Sequence, residues 1–355
     1  MNKIDNIRGL FSENNIDAIL LNSATNKFYV AKLYSSSGYI FITKKSKYII
    51  VDFRYFEEMK KESKDFKVVL MSKEKTYFDI VNEICEEENI NNIGFEGDEV
   101  SFDSYNTMSK KIKSNLVSVD LSKVRCRKSK EELEYIKKAC EIADKTFNHI
   151  IKFIKVNMSE KQVENEMVRF IKEQGGQKES FDIIVASGVR GALPHGKASN
   201  KIIEKGDFVT FDFGVKFNNY SSDITRTICM GEGNEELNKI YNIVKRANEE
   251  AIRLLKPGMT TGDIDKIARD IINKEGYGEY FGHNLGHGVG IMVHEYPALA
   301  PNSSEILCEG MAVTIEPGIY IPNLGGIRIE DDVLITKDGC EVLTKSRKDL
   351  INIKC

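Results

Sequence analysis

An internal repeat constrains the fold of this chain more than any other feature. The segments 155–159 (KVNMS) and 256–260 (KPGMT) lie 101 residues apart, and at the same offset Gly175 matches Gly276. Each copy is typical of a helix, a short turn and a second helix with a Ser or Thr start signal, followed by strands. Two such halves, related by a pseudo-twofold axis, would enclose a crevice between their sheets.

Two aspartates occupy the polar face of neighbouring candidate strands. In the segment 208–214 (FVTFDFG), the alternation of strand side chains puts Asp212 on the face opposite three apolar residues. The segment 223–228 (DITRTI) repeats the pattern with Asp223 on its polar side, and the polar turn at 218–222 predicts a hairpin. We therefore expect both aspartates to face the same space.

Two glutamates extend this polar face further along the chain. Glu316 alternates with apolar residues in 312–316 (AVTIE), and Glu330 does so in 327–332 (IRIEDD). Four carboxylates that converge on one pocket shift toward protonation unless positive charge neutralises them. Together with the imidazole of His287, they form an oxygen-rich donor set for two divalent metal ions. Such a set suits Mn²⁺, with Co²⁺, Zn²⁺ and Fe²⁺ as alternatives.

Five short motifs surround these residues. They are DFG at 212–214, YSSDITRT at 220–227, GHNLGHGVG at 282–290, EPGIY at 316–320 and GIRIED at 326–331. In this order they resemble the motifs of the proline-specific pita-bread metallopeptidases. That family includes Xaa-Pro aminopeptidase (aminopeptidase P) and Xaa-Pro dipeptidase (prolidase), with methionine aminopeptidase and creatinase as more distant relatives. The resemblance covers about 230 residues and fills all five metal-ligand positions of the family.

The resemblance implies an α+β architecture with two domains. Residues 125–355 would form a C-terminal pita-bread (creatinase/aminopeptidase) fold with the pseudo-twofold repeat, and residues 1–124 a smaller α/β creatinase-like N-terminal domain. The length of 355 residues also favours two domains, because it exceeds what one hydrophobic core usually serves. A basic stretch at 123–130, followed by the acidic helix start Glu131-Glu132, indicates the junction.

The resemblance also implies roles for individual residues. The residues expected to bind the metal ions are Asp212, Asp223, His287, Glu316 and Glu330. Glu316 is also expected to pass a proton from the attacking water toward the leaving nitrogen. The side chains expected to contact the substrate are His195, His283, His294, Arg328 and Tyr320, and the first four of these are also expected to take part in catalysis. Two adjacent metal ions lower the pKa of a bound water, so that hydroxide attacks the scissile carbonyl.

The resemblance implies hydrolysis of Xaa-Pro bonds, and of the family's two activities we expect that of an Xaa-Pro aminopeptidase, which releases the residue before proline. Xaa-Pro dipeptidase (prolidase) remains the alternative, because the sequence does not show whether loops leave room beyond the proline or cap its carboxylate. A creatinase-like amidinohydrolase without metal is disfavoured because all five ligand positions are filled. A non-catalytic binding protein on the same fold is disfavoured for the same reason.

Charge, hydropathy and cysteine spacing indicate which partners and which compartment to expect. The net charge of -3 comes without a basic stripe, so we expect neither nucleic acid nor an anionic membrane as a partner. No apolar run approaches the length of a membrane span. Seven cysteines form no CxxC pair, which is typical of free thiols in a reducing cytoplasm. We expect a cytoplasmic protein that takes proline-containing peptides as substrate, and the resemblance implies a homodimer.

Overall fold

The computed structural model describes residues 3–35 and 37–354. The chain divides into two compact units, Met1–Arg125 and Cys126–Cys355. Helices and strands occur in both, so the predicted α+β class is confirmed. Within the described residues, no helix combines the length and the apolar character needed to cross a membrane. The six cysteines of the described part are free thiols, as predicted, and Cys355 lies outside it.

The first unit is an α/β domain built on a mixed sheet. Its strands are β1 (Ala18–Leu21), β2 (Tyr39–Thr43), β3 (Lys47–Val51), β4 (Lys67–Leu70), β5 (Asn92–Glu96) and β6 (Asn115–Val119). Its helices are α1 (Lys3–Glu13), α2 (Ala24–Ala31), α3 (Phe53–Glu62), α4 (Tyr77–Glu88), α5 (Phe102–Lys111) and α6 (Ser122–Arg125). The strand order is β4-β3-β2-β1-β5-β6, in which β2 is antiparallel to both neighbours and the other pairs are parallel.

This sheet carries an apolar core on each face. Alternate residues of β1 point in opposite directions, so Ala18 and Leu20 belong to the core that includes α4, whereas Ile19 and Leu21 belong to the core that includes α1. Burial on both faces explains why the central strands β1, β2 and β3 read as nearly continuous apolar runs.

The second unit contains two helix pairs and several smaller sheets. Its helices are α7 (Lys130–Phe153), α8 (Glu160–Glu173), α9 (Glu235–Leu254) and α10 (Thr261–Lys274), with short 3-10 helices at Gly188–Ala192 and Gly278–Tyr280. The strands of its first half are β7 (Lys178–Glu179), β8 (Ile184–Ser187), β9 (Phe208–Phe213), β10 (Val215–Phe217), β11 (Tyr220–Ser221) and β12 (Ile224–Met230). The later strands are β13 (Gly286–Gly288), β14 (Glu295–Leu299), β15 (Ala312–Ile315), β16 (Gly318–Ile321), β17 (Gly325–Arg328), β18 (Asp331–Ile335), β19 (Cys340–Val342) and β20 (Asn352–Ile353).

The predicted repeat is present in the order and length of these elements. Helices α8 and α10 both have 14 residues and begin 101 positions apart, each after a capping box, at Ser159 and at Thr260. Each helix is followed by a glycine with positive φ, 89° at Gly175 and 87° at Gly276. Because the left-handed conformation favours glycine, the same residue recurs at both turns.

Each helix pair covers its own sheet. Helices α7 and α8 share an apolar core with the sheet β20-β12-β9-β8, and α9 and α10 share one with the sheet β14-β13-β15-β18-β19. A three-stranded sheet (β11-β10-β7) and the hairpin β16-β17 complete the unit's described sheets. The turn between β10 and β11 places Asn218 and Asn219 at φ 46° and 66°, which fits the tight hairpin predicted there.

Candidate metal centre

Asp212 and Asp223 lie close together on two paired strands. Strands β9 and β12 are antiparallel, with Thr225 opposite Asp212, and Asp223 immediately precedes β12. On the other face of β9, Phe211 and Phe213 are fully buried in the core shared with α7. This burial fixes which face carries Asp212, because neighbouring strand residues point in opposite directions.

Glu316 and Glu330 lie at the same end of a second pair of strands, Glu316 just after β15 and Glu330 just before β18. Strand β15 ends at Ile315 and β18 begins at Asp331, and these two residues are direct antiparallel partners. The Thr225 hydroxyl donates a hydrogen bond to Glu330 Oε2 (2.6 Å), and the Glu330 amide donates to the Thr225 carbonyl (3.1 Å). These bonds join Glu330, from the second half of the repeat, to β12, the strand that follows Asp223.

His287 lies on β13, where flanking glycines allow close backbone approach. A Cβ at Gly286 would collide with the carbonyl of Thr314, and a Cβ at Gly288 would collide with that of Tyr296. The His287 amide donates to the Thr314 hydroxyl (3.1 Å), which fixes the backbone of the ligand. The glycine-rich sequence is therefore a requirement of packing around the histidine.

The contacts of His287 define which ring nitrogen is free. Its Nδ1 lies 3.1 Å from the Gly288 carbonyl, and because a carbonyl only accepts, Nδ1 carries the proton. The unprotonated Nε2 faces Glu316 Oε1 at 3.3 Å and Asp223 Oδ2 at 3.7 Å. Burial, followed by the neighbouring His294, lowers the pKa of His287 to about 4. A neutral imidazole with its other nitrogen held by a carbonyl is prepared for a metal ion.

The buried carboxylates fit divalent cations. Within the described residues, Asp223 Oδ1 and Glu330 Oε1 are buried without a hydrogen-bond partner. Ligand atoms of Asp223, His287 and Glu330 lie within 4.8 Å of one another. Burial and then a neighbouring carboxylate raise the pKa of Asp223 and of Glu330 well above the usual range. Unpartnered buried anions are costly unless a cation binds them, so this donor set fits a metal site.

Asp212 and Glu316 line the same cavity as these three residues. Arg328 Nη2 donates to Asp212 Oδ2 (2.5 Å), but burial still raises the Asp212 pKa. Glu316 Oε1 accepts a hydrogen bond from the Thr314 hydroxyl (3.3 Å), and burial raises the Glu316 pKa to about 8. The structure thus brings all five residues expected to bind metal around one cavity of about 520 Å³.

Four of the five residues expected to contact substrate also line this cavity: His195, His283, His294 and Arg328. Tyr320 is not among the described residues that line it. Its hydroxyl accepts from Arg328 Nη1 (2.8 Å) and donates to His283 Nε2 (2.9 Å), because His283 Nδ1 already donates to a carbonyl. Tyr320 therefore orients Arg328 and His283.

Two histidines of the cavity, His283 and His294, are uncharged at neutral pH. Burial lowers the pKa of His283 to about 4 and also lowers that of His294. The His294 ring meets the ring of His287 edge-on, with 4.3 Å between centroids. A neutral imidazole such as that of His294 can donate a hydrogen bond to an oxygen that gains negative charge.

Three side chains that support the ligands had no role in the sequence analysis: Thr225, Thr314 and Asp332. Asp332 Oδ2 accepts hydrogen bonds from the Asp223 amide (2.8 Å) and from the Cys140 thiol (3.3 Å), which holds the start of β12 in place. Strand alternation places Thr225, Thr314 and Asp332 on the same faces as Asp223, Glu316 and Glu330, respectively. That pattern could have identified them as supporting residues.

Arg226 supports the site from the opposite face of β12. Its guanidinium is buried, pairs with Asp331 Oδ1 (2.7 Å) and donates to the carbonyls of Glu330 and of Ser346. It thereby ties the backbone beside Glu330 to the segment that follows β19. An arginine in the apolar face of a strand pattern gives no sequence signal for its partner, since the partners come from distant segments.

Two models of known protein families match this chain. A family model of Metallopeptidase family M24 matches residues 134–337, and one of the Creatinase/Prolidase N-terminal domain matches residues 3–128. The Xaa-Pro dipeptidase of Pyrococcus furiosus is 42% identical over 355 residues, covering 98% of this chain and 99% of that protein. The predicted pita-bread fold with a creatinase-like N-terminal domain is confirmed.

Solved structures give the same result. The Xaa-Pro dipeptidase from Bacillus anthracis has a TM-score of 0.95 and 45% identity, with 98% of each chain covered. The X-Pro aminopeptidase from Thermotoga maritima has a TM-score of 0.89 and 35% identity, with 96% of this chain and 99% of that chain covered.

Proposed function

This chain belongs to metallopeptidase family M24, and from that premise we propose that it hydrolyses Xaa-Pro dipeptides, the reaction of an Xaa-Pro dipeptidase (prolidase). Family membership makes it a metallo-exopeptidase that uses divalent metal ions. The observation that carries the proposal is the single cavity in which five potential metal ligands meet three histidines and Arg328. The relatives named as dipeptidases support this reaction over the aminopeptidase that the sequence alone favoured.

The metal ligands in this proposal are Asp212, Asp223, His287, Glu316 and Glu330. When bound there, divalent ions would supply hydroxide near neutral pH by lowering the pKa of a coordinated water. Four carboxylates and one imidazole are mostly hard oxygen donors, which favours Mn²⁺ and admits Co²⁺, Fe²⁺ or Zn²⁺.

Glu316 is the group that we assign to proton transfer. It lies beside His287 in the cavity, and its carboxylate is fixed through Oε1 by the Thr314 hydroxyl. A carboxylate held in this way takes a proton from the attacking water and gives it to the leaving nitrogen. His294 and His195 donate hydrogen bonds to the carbonyl oxygen as it becomes negative. Arg328 orients the peptide through its guanidinium, and Tyr320 holds both Arg328 and His283 in place.

The apolar wall of the cavity suits a proline substrate. Phe181, Ile184 and Pro194 line it next to the ligands. Proline lacks a backbone N–H, so a peptidase that holds its substrate as a hydrogen-bonded strand handles it badly. Apolar contact with the ring, combined with a polarised carbonyl, needs no such hydrogen bond.

Xaa-Pro aminopeptidase is the second candidate function. The similarity to the Thermotoga maritima X-Pro aminopeptidase supports it, because that structure covers nearly the whole chain. The same cavity would then have to accept a residue beyond the proline.

We also expect a homodimer in the cytoplasm. The free thiols of the described residues fit a reducing compartment. Light scattering coupled to size exclusion would give twice the chain mass of 40.2 kDa for a dimer.

The test is release of the N-terminal residue from a dipeptide Xaa-Pro and from a tripeptide Xaa-Pro-Yaa. Each is incubated with Mn²⁺-loaded and with chelator-stripped protein. Metal-dependent cleavage confined to the dipeptide supports the prolidase, and cleavage of the tripeptide replaces it with the aminopeptidase. If the loaded protein cuts neither peptide, the proposed reaction is wrong.

A further inference from the structure

A lysine at the exposed edge of the catalytic cavity has no role in the proposed reaction. Lys197 and its ion-pair partner Asp182 line the same cavity as the metal ligands. Lys197 Nζ lies 2.5 Å from Asp182 Oδ2, and the two side chains are 70% and 71% exposed. An ion pair that is this exposed is weak and exchanges readily with a competing charge.

The register of the sheet places Lys197 on the face that carries a metal ligand. Lys197 is the antiparallel partner of Ile184, Ile184 is opposite Asp212, and Asp212 is opposite Thr225. Residues directly opposite one another project to the same face, and neighbouring strands lie about 4.8 Å apart. The Lys197 side chain therefore starts two strand spacings, roughly 10 Å, from the backbone of Asp212.

The backbone of Lys197 is fixed although its side chain is exposed. Its amide donates to the His195 carbonyl (2.9 Å), and its carbonyl accepts from Arg190 Nη2 (2.6 Å). Arg190 is in turn paired with the buried carboxylate of Glu160 (3.2 Å). The ammonium group thus extends from a rigid base next to His195, which is expected to contact substrate.

The other permanent cation among the described cavity-lining residues is already engaged. Arg328 is 4% exposed, and its guanidinium donates to Asp212, Thr225, Tyr320 and the Pro194 carbonyl. A substrate anion would have to compete with these buried contacts. To bind the same anion, Lys197 has to release only the exposed carboxylate of Asp182.

We propose that Lys197 binds the C-terminal carboxylate of the peptide substrate and that Asp182 competes with the substrate for the same ammonium group. This inference rests on the proposed hydrolysis of Xaa-Pro dipeptides and deepens it. In a dipeptide the carboxylate lies one residue from the scissile bond, whereas an extension moves it away from Lys197. The pair would therefore select for short peptides with a free carboxylate.

The experiment compares kcat/KM for an Xaa-Pro dipeptide and for its neutral C-terminal amide with the Mn²⁺-loaded enzyme. The quantity measured is the ratio of kcat/KM for the acid to that for the amide. We expect Lys197→Met to lower this ratio roughly fivefold, which is typical of one partly exposed charge pair. Lys197→Arg should retain the ratio, and Asp182→Asn should raise it because the competitor is gone.

A matched control and a salt series complete the design. Lys205→Met removes an exposed lysine that is not among the cavity-lining residues, so it should leave the ratio unchanged. The ratio of wild type should fall with added salt, and that of Lys197→Met should depend on salt less. If the enzyme cuts the amide too slowly for kcat/KM to be measured, the amide and the acid are compared by their strength as competitive inhibitors.

Two outcomes would overturn the inference while leaving the proposed reaction intact. In the first, wild type cuts the dipeptide but Lys197→Met has the acid-to-amide ratio of wild type. In the second, Asp182→Asn lowers kcat/KM for acid and amide alike, which would mean that Asp182 binds the substrate ammonium. Wild type that cuts no Xaa-Pro peptide would instead remove the proposed function on which the inference rests.

Discussion

Glu316 lies in the cavity with its carboxylate 3.3 Å from His287, and the proposed reaction depends on the charge of this carboxylate. Glu316→Gln keeps the shape and removes both the negative charge and the capacity to carry a proton. We expect hydrolysis of Xaa-Pro to fall by about 10²–10⁴-fold, the usual contribution of a general acid or base. Thermal melting should show that the fold is retained. Turnover within tenfold of wild type would contradict the assigned role.

Thr225 connects Glu330, a proposed metal ligand, to Arg328, which we propose orients the substrate. Its hydroxyl donates to Glu330 Oε2 and accepts from Arg328 Nε (3.0 Å). Thr225→Val leaves both groups buried without this partner, so we expect a loss of about 1–3 kcal/mol in the free energy of unfolding. Metal affinity, measured by calorimetric titration, should fall about 10–100-fold.

Thr210→Val is the matched control for this substitution. Thr210 pairs its hydroxyl with Thr227 on the same two strands (3.0 Å), and it is not among the residues that line the cavity. The control should lose stability and keep its metal affinity. Equal metal affinity in the Thr225 and Thr210 variants would show that Thr225 does not orient Glu330.

At the residue scale, alternation within strands was enough to place most of the site. Asp212 and Glu316 each belong to a short stretch in which apolar residues alternate with other residues, and this alternation is visible in the local sequence. The hydrogen bonds of Tyr320 and the place of Lys197 at the cavity were not predicted, because both depend on which strands lie alongside one another. Tyr320 contacts Arg328 across the hairpin β16-β17, and Lys197 is placed by its pairing with Ile184.

At the scale of elements, a buried ion pair fixes the segment that carries His294. Lys128 Nζ and Glu295 Oε2 are 2.6 Å apart, and both side chains are almost fully buried. Glu295 Oε1 also accepts from the Met292 amide (3.2 Å), so the pair closes the turn before β14. Lys128→Met leaves a buried carboxylate without this cation. We expect a loss of about 3–5 kcal/mol in unfolding free energy by denaturant titration, together with reduced kcat.

A surface lysine provides the comparison. Lys138 pairs with Glu141 at 2.8 Å, but the two side chains are 41% and 48% exposed. Lys138→Met should cost less than about 1 kcal/mol and leave kcat unchanged. If the two lysine variants are equally stable, the ion pair of Lys128 does not hold the turn.

Helices and the repeat were the elements that the sequence predicted best. Capping boxes at Ser159 and Thr260 and glycines at Gly175 and Gly276 are local signals, so they can be identified without knowing the fold. The three-residue strand β13 and the break between β17 and β18 at Glu330 could not be predicted. Both depend on which distant strands lie alongside, and no local pattern encodes that.

At the scale of the whole molecule, metal binding and stability are linked through pH. Burial raises the pKa of Glu316 from 4.5 to about 8, so the folded metal-free protein holds a proton that the unfolded chain releases in this range. The stabilisation from this proton is complete below about pH 4.5 and is lost as the pH rises toward 8. Divalent ions bound by these carboxylates would take the place of the proton and remove the repulsion that follows its loss.

We therefore expect Mn²⁺ to raise the Tm more at about pH 8 than at about pH 5.5, relative to protein in chelator. Scanning fluorimetry at both values measures the difference. Glu316→Gln removes one of the coupled groups and should reduce the pH dependence of the metal-free protein. A gain in Tm that is equal at both pH values would contradict the proposed charge balance of the site.

In the proposed mechanism, ligands from both halves of the repeat would together hold two divalent metal ions, which would supply the hydroxide that attacks the peptide. The most direct measurement is the rate of Xaa-Pro dipeptide hydrolysis as Mn²⁺ is added to chelator-stripped protein, with bound metal determined in the same samples. The rate should rise with metal content and reach its maximum at two ions per chain. A rate that is independent of bound metal, or that is complete at one ion per chain, would contradict a reaction that needs two metal ions.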